Sequence, residues 1–423
     1  MEKYEVSKNF DVIFNMYENL GKIFDSMPES IPLPVKTMLR HAVLDDVELR
    51  NLMAGIKNRR PPRFMMVGNS GCGKSSLINA ILGWYAKHVS PVQVGTLKAQ
   101  YSVITDADNN KHFEILDTRG LCESVQSSSQ TAEDNLIQNL IDFSPDALIY
   151  LHQCDVRSGI EQELEFLKTV IEKSNNLRKN NPAFFIVLTQ CDKMDPSYVS
   201  DPSLFTGNEL KMTHIKERID QVRAICENIN LSPIDIIPVC SLMDWDIDKD
   251  QLLKLSPSQQ NEHMSLDWRY NIDVLRASLL SSLTDVKAQM GFSAALNIKS
   301  IFNKLSVKII NIFSGISASI AVTPIPVSDI FILCALQALL VMIIAALSGR
   351  KITFKAAGEL VTSFGGIGAV GFGLRIAAQQ LSKFANTVFP GIGSGISAGI
   401  AAAGTKTIGE CARKYFIDRI EVK

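Results

Sequence analysis

The octapeptide Gly68-Asn-Ser-Gly-Cys-Gly-Lys-Ser75 joins a short apolar run, Phe64–Val67, to an amphipathic stretch that begins at Lys74. A strand, a glycine-bearing loop and a helix in that order make a concave backbone whose N–H groups converge, and the helix start adds partial positive charge there. A phosphate group fits such a place. Gly68 and Gly73 let the backbone wrap the anion, Lys74 adds a point charge, and the Ser75 hydroxyl offers a ligand to Mg2+. Asn69, Ser70, Gly71, Cys72 and Ser76 complete the phosphate-facing stretch, so residues 68–76 are candidates for a nucleoside-phosphate site.

The middle of the chain repeats this rhythm. Apolar runs at Phe64–Val67, Tyr101–Thr105, Phe113–Leu116, Ala147–Leu151, Phe184–Leu188 and Ile234–Val239 read as strands, with helical stretches near 74–86, 131–142, 160–175 and 208–228. Such alternation predicts an α/β unit with a mostly parallel sheet covered on both faces. The link Asp106-Ala-Asp-Asn-Asn-Lys111 is short and rich in turn residues, which predicts a hairpin and so one antiparallel strand. Residues 244–266 read as a polar loop and 267–287 as a closing helix. The domain plan is a helical segment at 1–60, a nucleotide unit at 61–287 and an apolar helical region at 288–423.

A phosphate loop does not choose a base, but three further segments each follow a predicted strand: Asp117-Thr-Arg-Gly120, Thr189-Gln-Cys-Asp192 and Val239-Cys-Ser241. Asp117 suits the magnesium shell, and the Gly120 N–H can sense a γ-phosphate. With these motifs in this order, roughly residues 60–285 resemble the Ras-like superfamily of P-loop GTPases, in particular its Era-like and interferon-inducible branches. The resemblance implies GTP and GDP as ligands, with Mg2+ held by Ser75, Asp117 and a switch threonine. It implies that Asp192 accepts two hydrogen bonds from the guanine edge, and that the Ser241 backbone meets the base oxygen. Thr189 and Gln190 belong to the same base-reading loop. Gln190 stands where the family has Lys, so the usual stacking on the base is weakened or replaced. Thr96, in Val94-Gly-Thr-Leu97, matches the switch threonine, and Thr105 is the competing candidate.

The resemblance makes Lys74, Thr96 and Gly120 the catalytic groups of a GTPase. Many members place a glutamine directly after that glycine, whereas Leu121 stands here. Without a side chain there to orient water, hydrolysis is expected to be slow and to need a partner or dimerisation, which makes a homodimer a candidate assembly. Gly71 occupies the position where potassium-activated members carry Asn, so potassium dependence is not implied.

Charge is spread unevenly. Residues 297–423 hold thirteen Lys/Arg against five Asp/Glu, or +8, and the first 296 hold thirty against thirty-nine, or −9. The basic residues form no stripe with interleaved aromatics, so an anionic lipid surface is an expected partner and nucleic acid is not. Between Lys308 and Arg350 lie forty-one residues with one formal charge, Asp329. About twenty apolar residues can cross a bilayer. Basic residues on both flanks place the two ends on one side, and Pro324-Ile-Pro326 divides the span, so a helical hairpin is expected. A second stretch, with Gly365, Ala369 and Gly373 and then Gly391, Gly395 and Gly399 at four-residue spacing, suits close helix packing. Segments 309–349 and 359–405 are thus the expected membrane contacts, with a buried helical bundle as the alternative. Residues 295–415 resemble a C-terminal helical domain of unassigned function found beside GTPases in bacterial membrane-linked proteins. The two N-terminal helical stretches cannot close a core alone and are expected to pack on a later helical region. Eight cysteines without a Cys-x-x-Cys pair read as reduced thiols, and no export signal is apparent, so the expectation is a cytosolic nucleotide unit associated with a membrane.

Overall fold

The structure is a computed structural model that describes residues 6–25, 33–89, 99–119, 130–175, 181–322, 329–350, 352–367 and 392–418. They fall into two compact units: Arg59–Leu296, and Met1–Asn58 together with Asn297–Lys423. Four helices open the chain: α1 (Val6–Glu18), α2 (Leu20–Asp25), α3 (Leu33–Leu44) and α4 (Val47–Lys57).

The unit Arg59–Leu296 is built on a seven-stranded sheet of β1 (Arg63–Gly68), β2 (Lys87–Val89), β3 (Ala99–Thr105), β4 (Lys111–Arg119), β5 (Ala147–Gln153), β6 (Ala183–Thr189) and β7 (Asp235–Pro238). Their order is β2-β3-β4-β1-β5-β6-β7. Only β3 runs against the others, pairing antiparallel with both β2 and β4. This is the mostly parallel sheet with one antiparallel strand that the sequence rhythm predicts, with β2 as an extra edge strand too short to be read from its pattern.

Period-two alternation along β1 sorts the core. Met65 and Val67 join Leu148, Tyr150, Ile186 and Leu188 beneath α6 (Gln130–Phe143), α7 (Ile160–Asn175) and α8 (Glu209–Asn228). On the opposite face Phe64 meets Phe113 and Phe292 with ring centroids 5.4 and 5.9 Å away. Helix α5 (Lys74–Leu82) stops earlier than its periodicity suggests, because Gly83 caps it in the left-handed region at φ 85°.

Residues 240–295 correct the sequence reading. In place of a loop and one helix, β8 (Cys240–Trp245) and β9 (Met264–Tyr270) form an antiparallel pair. The short helices α9 (Lys249–Leu252) and α10 (Pro257–Glu262) lie between them, and α11 (Ile272–Ser282) and α12 (Val286–Ala295) follow. Met264, Leu266, Trp268 and Tyr270 alternate with polar residues, a strand pattern that the charged surroundings obscure. Buried Gln260 anchors the insertion by accepting from the Tyr85 N–H at 2.7 Å and donating to the Leu252 carbonyl at 2.8 Å.

In the helical unit, α13 (Ser300–Val322), α14 (Asp329–Leu347), α15 (Phe354–Ile367) and α16 (Ile392–Arg413) join the first four helices. Apart from Gln337, helix α14 is apolar all round its buried stretch, in keeping with its packing against α1, α13, α15 and α16, and residues 335–347 are all buried. As expected, α1 packs on this later region: Phe10 meets Phe302 edge to face at 5.5 Å, and the Asn9 amide donates to the Leu347 carbonyl at 3.2 Å. Residues 323–328, where the sequence predicts the hairpin tip, and residues 368–391 with Ala369, Gly373 and Gly391, lie outside the described residues. Ser300–Ala321 is long and apolar enough to cross a membrane, and half of that window is buried against other helices.

If α14 is the core of a bundle, Leu339→Ala leaves a cavity and should lower unfolding stability by about 2–5 kcal/mol. Chemical denaturation measures this, and a loss under about 1 kcal/mol would place Leu339 outside a packed core.

Candidate nucleotide site

Strand β1 delivers the phosphate loop to the centre of the sheet, with Gly68 between Arg119 of β4 and Leu151 of β5. A Cβ on Gly68 would lie 2.5 Å from the Leu151 carbonyl oxygen and 2.9 Å from Cys72 Sγ, so the cradle admits only glycine. Gly71 and Gly73 take left-handed conformations at φ 80° and 91°. Gly73 then turns the chain into α5, whose first residues are Lys74, Ser75 and Ser76. Lys74 is buried, donates to the carbonyls of Gly68 at 2.7 Å and Asn69 at 3.1 Å, and lies 3.7 Å from Asp117 Oδ1. Asp117 stands on β4 opposite Met66 and Gln100, at the same edge of the sheet.

The segment Thr189–Asp192, expected to read the base, is tied directly to this loop. The Thr189 hydroxyl at the end of β6 donates to the Cys72 carbonyl at 2.7 Å, and Gln190, in the left-handed region at φ 58°, donates its amide to the Gly71 carbonyl at 2.9 Å. Asp192 lies in the 3-10 turn Cys191–Lys193. Lys211 of α8, fully buried, supports that turn by donating to the carbonyls of Asp192 at 2.8 Å and of Met194, with its ammonium 5.0 Å from the Phe205 ring. Burial holds its pKa below the usual lysine value, and Asp192 opposes that shift. The Cys191 N–H donates to the Val239 carbonyl at 3.2 Å, joining the turn to the end of β7. Next to it, the Cys240 thiol is pushed up to about 12 by burial, with Asp192 adding to the effect. Thiols so shifted are unreactive.

Ser241 sits on β8, which the sequence reading did not contain. It lines a cavity of about 780 Å3 together with Ser75, Ser76, Asn79, Tyr85 and Trp245. Its hydroxyl oxygen is buried without a hydrogen-bond partner among the described residues. Tyr85 and Trp245 meet edge to face at 5.9 Å on one side of the cavity. Thr96 and Gly120 lie outside the described residues. Thr105, the competitor of Thr96, pairs with Lys111, whereas Asp117 pairs with Gln100. Five strand residues, about 17 Å, therefore separate Thr105 from the site, which removes it.

Several supporting side chains were invisible to motif reading. Asn69 of the loop donates to Glu163 Oε1 at 3.2 Å, and Glu163 also accepts from the Tyr150 hydroxyl in a buried cluster with His152. Gln153, at the end of β5, donates to the Gly71 carbonyl at 3.2 Å. These residues act from strand ends and helix starts distant in sequence, and no local spacing marks them.

Residues 63–190 match the family model described as 50S ribosome-binding GTPase, and residues 287–419 match a domain of unknown function, DUF697. The chain carries a P-loop GTPase domain and this C-terminal domain of unknown function. The GTPase domain is similar to GTPase Der of Thermosipho africanus, at 30% identity over 115 residues, 27% of this chain and 25% of that protein. It is also similar to GTPase Der of Streptococcus sanguinis, at 31% identity over 136 residues, 30% and 31% of the two chains. The chain spans between 25% and 39% of the length of the first curated relatives it matches. Toc33 from Arabidopsis thaliana, crystallised with GDP and Mg2+, shares 18% identity over 63% of this chain and 94% of its own, with a TM-score of 0.31. That likeness is too slight to bear on function.

A GTPase domain takes a guanine nucleotide with Mg2+, and the residues present fit both. The glycine cradle at Gly68 has no room for a side chain, Lys74 lies beside Asp117, and the Ser241 hydroxyl is an unsatisfied polar group on the cavity that also receives Ser75 and Ser76.

Lys211→Met keeps the apolar stem but leaves the Asp192 and Met194 carbonyls without their donor, at about 1–3 kcal/mol for each unsatisfied group. A lower melting temperature and weaker guanine-nucleotide binding are expected, read by thermal unfolding and by fluorescent-nucleotide titration.

Proposed function

We propose that this protein binds GTP and hydrolyses it slowly, using the bound state to order the Thr96 and Asp117–Gly120 segments. The observation that carries this reading is the cavity lined both by Ser75 and Ser76, which follow the glycine loop, and by Ser241 of the second base-reading segment. Phosphate and base contacts that are distant in sequence thereby line one space. Lys74 neutralises the phosphates, Ser75, Thr96 and Asp117 hold Mg2+, and Asp192 accepts from the guanine edge. Mg2+ supplies charge neutralisation on the phosphate oxygens. The Gly120 N–H senses the γ-phosphate. Leu121 offers no group to orient water, so turnover is slow unless a partner or a second copy supplies one.

The helical unit gives this switch its proposed output at a membrane surface, reached from the cytoplasmic side. The +8 charge of residues 297–423 and the apolar segments 309–349 and 359–405 support contact with anionic lipid. A second reading, in which the apolar tail is the core of an assembly protein, is supported by the complete burial of residues 335–347. Flotation with anionic liposomes, in GDP and in a non-hydrolysable GTP analogue, separates the two: binding in neither state sinks the membrane reading.

For the nucleotide reading, Asp192→Ala removes two hydrogen bonds to a charged acceptor and should weaken GTP binding by about 100-fold or more. Equal displacement of labelled GTP by ATP in the unaltered protein would overturn guanine specificity. Single-turnover cleavage of labelled GTP tests the slow hydrolysis.

A further inference from the structure

We propose that Gln153 and Gln190 form an uncharged clamp on the Gly71 carbonyl that sets how long a bound nucleotide stays, with Gln153 as a positioning residue. The proposal rests on the reading that residues 68–76 hold the nucleotide's phosphates. Gly71 stands at a left-handed turn of the loop, and nothing lies within 4 Å of where its Cβ would be. Its carbonyl is nonetheless held from two sides, by Gln190 Nε2 at 2.9 Å and by Gln153 Nε2 at 3.2 Å. The donors come from the ends of adjacent parallel strands, since Gln153 pairs with Thr189 across β5 and β6.

The next carbonyl, that of Cys72, is held by the Thr189 hydroxyl at 2.7 Å. A trans peptide points its N–H opposite to its C=O. Holding the Gly71 and Cys72 oxygens therefore fixes the directions of the Cys72 and Gly73 N–H groups; the first donates to the Asn69 carbonyl at 3.3 Å within the loop, and the second belongs to the stretch read as phosphate-facing. The clamp orients these donors without adding charge. It differs in this from Lys74, whose ammonium attracts phosphate directly. The left-handed backbone of Gln190 turns its side chain back towards the loop, and an amide is the right group there: its N–H meets the carbonyl, where a carboxylate would repel it.

Release of a fluorescent GDP analogue after mixing with excess GDP tests this in the full chain. Gln153→Ala and Gln190→Ala should each speed release by about 2–5-fold. The double variant should exceed the product of the two, because only then does the carbonyl lose both donors. Gln153→Glu should release faster than Gln153→Ala, and Gln190→Lys, which restores a donor, should release more slowly than Gln190→Ala. A general packing role would leave Gln153→Glu like the parent. A double variant that releases at the parental rate overturns the clamp. In that case Lys74→Ala separates the two claims: lost binding there leaves the phosphate-loop reading standing, and retained binding removes it. Melting curves without nucleotide serve as the folding control, and a melting temperature that falls in step with faster release across all four single variants also overturns the clamp.

Discussion

The close approach of Gly68 to the backbone of Leu151 is the contact on which the nucleotide unit depends. No side chain fits between them, so the phosphate loop leaves β1 tight against β5. From that position the loop lies within hydrogen-bond reach of the ends of β5 and β6, which supply Gln153, Thr189 and Gln190. Parallel order does the rest. Strands that all run the same way deliver their carboxyl ends, and the loops that follow, to one edge of the sheet. β3, the one reversed strand, carries Thr105 away from that edge, and the same topology that assembles the site excludes that residue.

Inside this frame, polarity is concentrated where the loops must hold a shape. Lys74 and Lys211 are both buried ammonium groups, and each is satisfied mainly by backbone carbonyls of the motif it serves. Removing either leaves carbonyls without donors in a region of low dielectric, which costs more than the net gain of an ordinary hydrogen bond. The two lysines differ in what faces them. Asp117 stands near the Lys74 ammonium, whereas the Phe205 ring lies beside that of Lys211. In the proposed nucleotide site Lys74 would exchange loop carbonyls for phosphate oxygens, while Lys211 serves as a fixed prop.

Most of the sheet was legible from sequence because its strands are buried on both faces and read as uninterrupted apolar runs, such as Phe184–Leu188. The motifs were legible because each follows such a run. The β8–β9 insertion was not, since its strands lie at the surface and their alternating apolar residues are diluted by Asp, Arg and Ser. Ser241, expected just after a strand, therefore stands instead on β8. Gln153, Glu163 and Lys211 were missed for another reason. Their roles arise from contacts between elements far apart in sequence, and a glutamine at a strand end or a lysine in a helix's first turn carries no local mark of them.

The apolar tail shows where composition stops discriminating. A helix enclosed by other helices and one enclosed by lipid both need an apolar surface, so α13, long and apolar enough to span, satisfies either environment by hydropathy alone, whereas the apolar run Leu333–Leu347 of α14 is shorter than a span. What differs is the treatment of polar groups. Within the bundle, the Ser317 and Thr405 hydroxyls pair at 2.7 Å, and the Gln337 amide donates to Thr405 at 3.2 Å, all fully or almost fully buried. These three residues lie on α13, α16 and α14, so one polar cluster fixes the mutual register of three apolar helices that could otherwise slide. A cluster of this kind is useful to a packed core and equally to helices associating in a bilayer, where interhelical hydrogen bonds are a common adhesive. The register of the helices is thus set by the chain itself, and the surroundings decide only which outer faces remain covered.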